Sequence, residues 1–229
     1  MTHVLITGAN RGIGLALARA CLARGDRVTA TARDPGAARE LQALVAAQPG
    51  RLALIALDVT SAQSVAAAAR AVSGPVDVLI NNAGIYGPRD RQGAFGTDFA
   101  AWAEVLDVNT LGPLRVTQAF LPHLEQARGK VCTVTSRMGS LAGDNSGAIA
   151  YRSSKAAVNK AMLVMATALK PKGIPVLLIH PGWVRTDMGG AGADITPEMS
   201  AAGILVRIDA LTMARTGAFE DHSGQPIAW

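Results

Sequence analysis

Seven short apolar runs recur along this chain, near residues 3–7, 27–32, 51–57, 76–81, 129–135, 174–180 and 217–220, with alanine-rich stretches of helical periodicity between them. Strands that come singly and alternate with helices cannot pair through tight hairpins. Each must cross a sheet face and return parallel to its predecessor. The pattern therefore predicts an α/β chain whose doubly wound sheet is parallel, mostly seven-stranded and covered by helices on both faces. At 229 residues, 49% of them apolar, the chain can bury a large core as one unit, and residues 1–229 are read as a single domain. The crossover at 98–127 is long enough for one extended helix, in which Pro113 predicts a bend or an interruption. Two looser segments, 86–97 and 183–198, follow the carboxyl ends of predicted strands, the edge at which such a sheet binds its ligand.

The first crossover carries the first chemical signal. His3-Val-Leu-Ile-Thr7 runs into Gly8-Ala-Asn-Arg-Gly12-Ile-Gly14 and then into an apolar pattern with helical spacing. A strand, a glycine-rich turn and a helix in that order make a phosphate site. Gly8 and Gly12 let the backbone approach an anion, Gly14 lets the helix pack close on the strand, and the positive end of the helix faces the charge. Asn10, Arg11 and Ile13 lie in the same turn. This makes the expected architecture a Rossmann fold. The spacing is Gly-x-x-x-Gly-x-Gly and not the tighter Gly-x-Gly-x-x-Gly, and alone it fits an ordinary strand-to-helix turn equally well.

Charge and cysteine usage exclude other classes. A net charge of +5 and a pI near 9.7 raise nucleic acid as a partner, but the arginines are scattered and 4% aromatic content leaves no stacking platform. An anionic small cofactor explains part of the excess equally well. No run approaches the roughly 18 apolar residues of a membrane span, and the first strand starts at residue 3, leaving no room for a signal peptide. A cytoplasmic protein without nucleic-acid or membrane partners is expected. Cys21 and Cys132 fall in a predicted helix and a predicted strand, which suits buried reduced thiols, and His3, His123 and His222 show no metal-ligand spacing, so no metal is expected. His180 reads as the end of a strand and not as a base.

Tyr151 is followed four residues later by Lys155 at the start of a predicted helix, which places both side chains on one face. An ammonium there biases the phenol toward its ionised form, so that a group of free pKa about 10 can do acid/base work near neutral pH. With 2 tyrosines in 229 residues, chance rarely produces such a pair.

Taken in order, Thr7-Gly-Ala-Asn-Arg-Gly-Ile-Gly14, Asp58-Val59, Asn81-Asn-Ala-Gly84, Asn109, Ser136, Tyr151-x-x-x-Lys155 and Pro181-Gly-Trp-Val-Arg-Thr186 resemble the short-chain dehydrogenase/reductase family over essentially the whole chain. Ala30-Thr-Ala-Arg-Asp-Pro35 and the closing Gly224-Gln-Pro-Ile-Ala-Trp229 look most like its carbonyl-reductase-like and C-factor-like branch. The resemblance implies hydride transfer between a nicotinamide and a small carbonyl or alcohol substrate. It implies that Tyr151 is the general acid/base, that Lys155 lowers its pKa and holds the nicotinamide ribose, and that Ser136 donates a hydrogen bond to the substrate oxygen. Asn109 would place a water against Lys155 for proton relay. Asp58 and Val59 would border the adenine, and Asn82, Ala83 and Gly84 would line the cofactor's path, with Pro181, Gly182, Val184 and Thr186 completing the cofactor set. The interval from Ser136 to Tyr151 is two residues longer than the family's commonest, which lengthens the loop beside the site. A homodimer is expected.

Charge selects the cofactor. An NAD-selective fold places an acid at the end of the second strand, whereas NADP needs a cation for its 2′-phosphate. Ala32 occupies the acidic position, Arg33 follows it, and Arg11 is a second cation on the same side. NADP(H) is therefore expected over NAD(H), with Asp34 as the residue that favours the opposite choice. Trp183, Met188 and Met138 near the mouth predict a wall for apolar aldehydes or ketones, and Arg185 is the residue that could instead reach an acidic substrate. The alternative is a non-catalytic dinucleotide-binding signalling or regulatory protein of the same fold, which would have no need of Asn109, Ser136, Tyr151 and Lys155 together.

Overall fold

Each expected strand forms, within two residues of the expected limits at either end: β1 His3–Ile6, β2 Arg27–Ala32, β3 Leu52–Ala56, β4 Val78–Asn81, β5 Lys130–Val134, β6 Val176–His180 and β7 Ala218–Asp221. The computed structural model describes residues 1–142 and 146–229. All neighbouring strands are parallel, in the order β3-β2-β1-β4-β5-β6-β7. The chain winds outward from β1 to β3, then returns to the other side of β1 to place β4. The carboxyl ends of β1 and β4 therefore part company, and a crevice opens between the loops that leave them.

Strand alternation sorts the core into two layers. Val4 and Ile6 of β1 face one layer, built with α1 (Gly12–Ala23), α2 (Arg39–Ala47) and α8 (Pro197–Asp209), through Leu15, Leu17, Leu41, Ile204 and Ile208. Leu5 faces the other, where Val65 of α3 (Ala62–Ala71) meets Phe120, Val158 and Met162. A fully buried side chain such as Phe120 stabilises this layer by about 3–5 kcal/mol relative to alanine.

The crossover expected as one extended helix is three: α4 Phe99–Leu106, α5 Gly112–Ala119 and α6 Leu121–Ala127, with a π-helical turn, Asp107–Leu111, between the first two. The interruption comes a turn before Pro113 and has that residue as part of its cause. Pro113 has no N–H to give the Asn109 carbonyl four residues back, and the Gly112 N–H reaches Asp107 O instead. The widened turn buries Asn109 beneath the sheet's carboxyl edge. The last long helix, α7 (Ile149–Leu169), packs on both α4 and this π turn. No helix among the described residues is long and apolar enough to cross a membrane.

Candidate active site

One threonine ties the two loops that line the crevice. Thr7, at the exit of β1, accepts the N–H groups of Asn82 and Ala83 at 3.0 and 3.1 Å. The Asn82 amide donates to the carbonyls of Thr7 and Gly8 at 2.9 and 3.0 Å. Asn82, expected to line the cofactor's path, thus spends its side chain holding the turn in shape. Gly8 and Gly12 take φ of +63° and +54°, and a methyl on Gly14 would sit 2.4 Å from Gly8 O. Both the left-handed backbone and the close approach require glycine.

The helix α1 opens at Gly12 with no side-chain cap and no acid in its first turn. Its first N–H groups and the positive end of its dipole are therefore free to meet an anion, the donor set that a dinucleotide pyrophosphate needs. Ile13 is half-buried beneath this turn, and Asn10 is exposed at its tip. Thr186, from the loop after β6, packs over Gly12, where an added methyl would lie 3.1 Å from its Cγ2. Arg11, expected as a second cation for a 2′-phosphate, is paired with Asp187 across the crevice. Both partners are exposed, and such a pair is weak enough to exchange.

The end of β2 falls at Ala32, with Arg33 exposed immediately after it. Asp34 is committed elsewhere: its carboxylate accepts the N–H groups of Gly36 and Ala37 at 2.8 and 3.2 Å and so shapes the turn into α2. Asp58 is likewise braced within its own turn. The Thr60 hydroxyl at 2.7 Å and the Thr60 N–H at 2.9 Å hold its carboxyl below the usual range, and the Arg33 charge adds to this. Val59 beside it is buried against Gly112.

Four chain segments bring together the residues expected to be catalytic. Ser136 leaves β5, Tyr151 and Lys155 share a face of α7, Asn109 comes from the π turn, and Gly84 lies between them. A methyl on Gly84 would be 3.2 Å from Asn109 Oδ1 and 3.6 Å from Lys155 Nζ. Ser136, Tyr151 and Lys155 are all buried. The Ser136 hydroxyl accepts the Met138 N–H at 3.1 Å and so caps a 3-10 turn, Arg137–Gly139. That turn lies so close to α7 that a methyl on Gly139 would be 2.6 Å from the backbone carbon of Lys155. Lys155 Nζ donates to the Val134 carbonyl at 3.0 Å and stands 5.7 Å from the centre of the Tyr151 ring.

Burial pushes the Tyr151 phenol up to about 12, with the Ser136 hydroxyl drawing it down and Tyr86 adding to the rise. Burial also takes Lys155 down to about 8. The expected lowering of the phenol by Lys155 is thus not achieved by the protein's own groups, because desolvation dominates and the ammonium is turned to Val134. Asn109 is held from two sides. Its amide accepts the Ile85 N–H at 2.9 Å and donates to Ile85 O at 2.8 Å and Ser154 Oγ at 3.0 Å. Both amide N–H donors are thus used, while Oδ1 keeps one acceptor position.

Two residues of the loop after β4 belong to the site and carried no sequence signal beyond a lone tyrosine among glycine and proline. Tyr86 stacks on Tyr151, ring centres 4.6 Å apart and planes 27° apart, and the Arg89 guanidinium lies 4.6 Å from the centre of the Tyr86 ring. Arg89 also donates to the Met188 carbonyl, joining the loops after β4 and β6. Trp183 is exposed and folds onto its own loop, its indole N–H on Gly189 O at 2.9 Å. Arg185 is similarly engaged, with Nε on Ala193 O at 2.8 Å. Val184 is buried beside them, pairing with Ile195, while Pro181 and Gly182 are half-buried at the exit of β6. Met138 is half-buried near Ser136. The lengthened interval before Tyr151 includes residues 143–145, which lie outside the described residues. His180 ends β6, and burial takes it down to about 4, so it is neutral. Cys21 and Cys132 are free and buried. No cluster of metal-ligating side chains occurs among the described residues.

A family model described as short chain dehydrogenase matches residues 2–194. The C-signal protein of Myxococcus xanthus is 50% identical over 159 residues, covering 69% of this chain and 95% of that protein. The 1-hydroxy-2-glutathionyl-2-methyl-3-butene dehydrogenase of a Rhodococcus species is 37% identical over 238 residues, covering 100% of both. Among solved structures, the NADPH-bound carbonyl reductase from chicken fatty liver superposes with a TM-score of 0.92 at 35% identity, covering 100% of this chain and 99% of that one.

Proposed function

This chain belongs to the short-chain dehydrogenase family, and we propose that it is an NADP(H)-dependent carbonyl reductase whose general acid/base is Tyr151. The observation that carries this reading is the buried convergence of Ser136, Tyr151, Lys155 and Asn109 at the carboxyl edge of the sheet, beside an uncapped helix start suited to pyrophosphate. When bound, the nicotinamide supplies or accepts the hydride. With its pKa near 12, the Tyr151 phenol is protonated at neutral pH, the form that can give a proton to a carbonyl oxygen. The Ser136 hydroxyl, buried and adjacent, donates to the same oxygen, where low polarity strengthens the bond. Running the reaction toward ketone requires the phenol lowered from about 12 toward neutral, about five units or roughly 7 kcal/mol, and Lys155 turned from Val134 toward the ribose is the group that begins to do so. A relay water is assigned to an oxygen of Asn109, because both of its amide N–H groups are engaged.

Arg33 is assigned to the 2′-phosphate, supported by Ala32 at the end of β2, by the commitment of Asp34 to its turn and by the NADPH-bound relative. Arg11 assists once released from Asp187. The substrate is an apolar aldehyde or ketone, supported by the Tyr86 ring against Tyr151, by exposed Trp183 and Met188, and by the engagement of Arg185 within its loop. The protein is further proposed to act in the cytoplasm as a homodimer, with exposed Phe99 of α4 and Val164 of α7 as apolar surface for the contact; sedimentation velocity tests this. Likeness to C-signal favours a second reading, a dinucleotide-binding signal protein, but that role leaves the four buried catalytic groups without a purpose.

A carbonyl panel followed by NADPH absorbance separates the two readings. Tyr151→Phe is expected to lower kcat by about 10²- to 10⁴-fold while leaving NADPH affinity intact, because the ring stays and only the proton donor goes. A variant retaining more than about a tenth of wild-type kcat would show that Tyr151 is not the acid.

A further inference from the structure

The helix that carries Tyr151 and Lys155 has no cap of its own. Its preceding residue, Ala148, has a left-handed backbone with φ 50° and no side-chain acceptor. Two of its orphan N–H groups are met instead by one residue from the loop after β4, 59 positions away from Tyr151. The Gln92 carbonyl accepts the Ile149 N–H at 3.1 Å, and the Gln92 side-chain oxygen accepts the Tyr151 N–H at 3.0 Å. The other end of the same amide donates to the carbonyls of Tyr86 at 2.8 Å and Pro88 at 3.1 Å. Gln92 is 2% exposed, so these bonds are made away from water, where they are costly to lose.

We propose that Gln92 is a positioning residue for Tyr151. By capping α7 from a distant loop, it sets the phenol relative to Ser136 and couples it to the segment that bears Tyr86 and Arg89. This rests on Tyr151 as the acid/base. The one amide joins the acid's backbone to the backbone of the residue stacked on its ring, so the substrate mouth and the proton donor move as a unit. A side chain that fills the same space without hydrogen bonds would let them move apart, and misplacement of about 1 Å costs a reaction roughly 100-fold.

The test uses Gln92→Met, which keeps the shape, and Gln92→Glu, which keeps an oxygen for the Tyr151 N–H but loses the two donations. Each is made in wild-type and Tyr151→Phe backgrounds, with NADPH affinity, single-turnover reduction of an aryl aldehyde and melting temperature measured. Gln92→Met is expected to slow reduction about 10- to 100-fold with NADPH affinity changed less than about threefold. Gln92→Glu is slowed as well, because its second oxygen faces the Tyr86 and Pro88 carbonyls and the link to their loop is broken; a wild-type rate in this variant would refute the coupling. In the Tyr151→Phe background Gln92→Met changes the residual rate less than about threefold, because the group it positions is gone. A Gln92→Met protein that melts earlier yet reduces at the wild-type rate would show a purely structural cap. An equal loss in both backgrounds would show that Gln92 does not act through Tyr151. A Tyr151→Phe protein that keeps its turnover would remove the acid/base reading, and this proposal with it.

Discussion

Replacing Lys155 by methionine should make the protein more stable at neutral pH while destroying its turnover. The ammonium is 5% exposed, and burial takes its pKa from 10.5 to about 8. The unfolded chain thus holds this proton up to about pH 10.5, whereas the folded chain releases it near pH 8. Below pH 8 the folded state carries a desolvated charge that destabilises it by about 3 kcal/mol, at about 1.4 kcal/mol per unit. Between pH 8 and 10.5 the unfolded state binds more protons than the folded one, so this penalty falls as pH rises. Methionine removes the charge and nearly matches the volume, but it leaves the Val134 carbonyl without its donor, which costs about 1–2 kcal/mol. The net gain at pH 7 is about 1–2 kcal/mol, a rise of roughly 3–6 °C in Tm for a domain of this size. Calorimetric melts of both proteins across pH 7–10 provide the assay, with all other titrating groups common to both. The gap should shrink through pH 8 and reverse as the neutral lysine ceases to be a burden. A gap that does not change with pH, or a Lys155→Met protein less stable at pH 7, would refute the reasoning that desolvation rules this group.

Arg33→Ala should reduce the preference for NADPH over NADH by roughly 10-fold in kcat/KM, through the NADPH term, the low end for a charged contact because Arg33 is exposed; an unchanged ratio would place the 2′-phosphate elsewhere. Gly139→Ala drives a methyl into the α7 backbone and should cost about 1–3 kcal/mol in urea denaturation, with reduced turnover because the same turn is capped by Ser136; wild-type behaviour would mean the turn relaxes freely. Trp183→Ala should raise KM for aryl ketones with little change in kcat, and a substrate screen in which a 2-oxo acid or a sugar is best would remove the apolar-substrate reading while sparing the reductase.

Much of the site was legible because it is local. The glycine turn requires Gly8, Gly12 and Gly14 whatever surrounds it, and Tyr151 and Lys155 share a face by helical geometry alone. The end of β2 at Ala32, and with it the place of Arg33, followed from an apolar run. The readings that changed are those that depended on a third party. Asn82 and Asn109 stand where expected, but Thr7, Gly8, Ile85 and Ser154 take up their amide N–H groups. Asp34, the rival for the adenosine ribose, shapes its own turn through one carboxylate oxygen. The helix at 98–127 was expected whole because its apolar spacing continues through the π turn, which periodicity does not distinguish from an α-helix.

By itself, the order of strands, glycines and helical pairs determined the parallel sheet, its ligand edge and the shared helix face of Tyr151 and Lys155, since each depends on spacing along a few consecutive residues. Only the tertiary structure decided that Tyr86 stacks on Tyr151, that Gln92 caps its helix, and that burial raises the phenol while lowering the ammonium. Desolvation and hydrogen bonding between residues far apart in the chain are properties of the assembled interior, and no short stretch of sequence carries them.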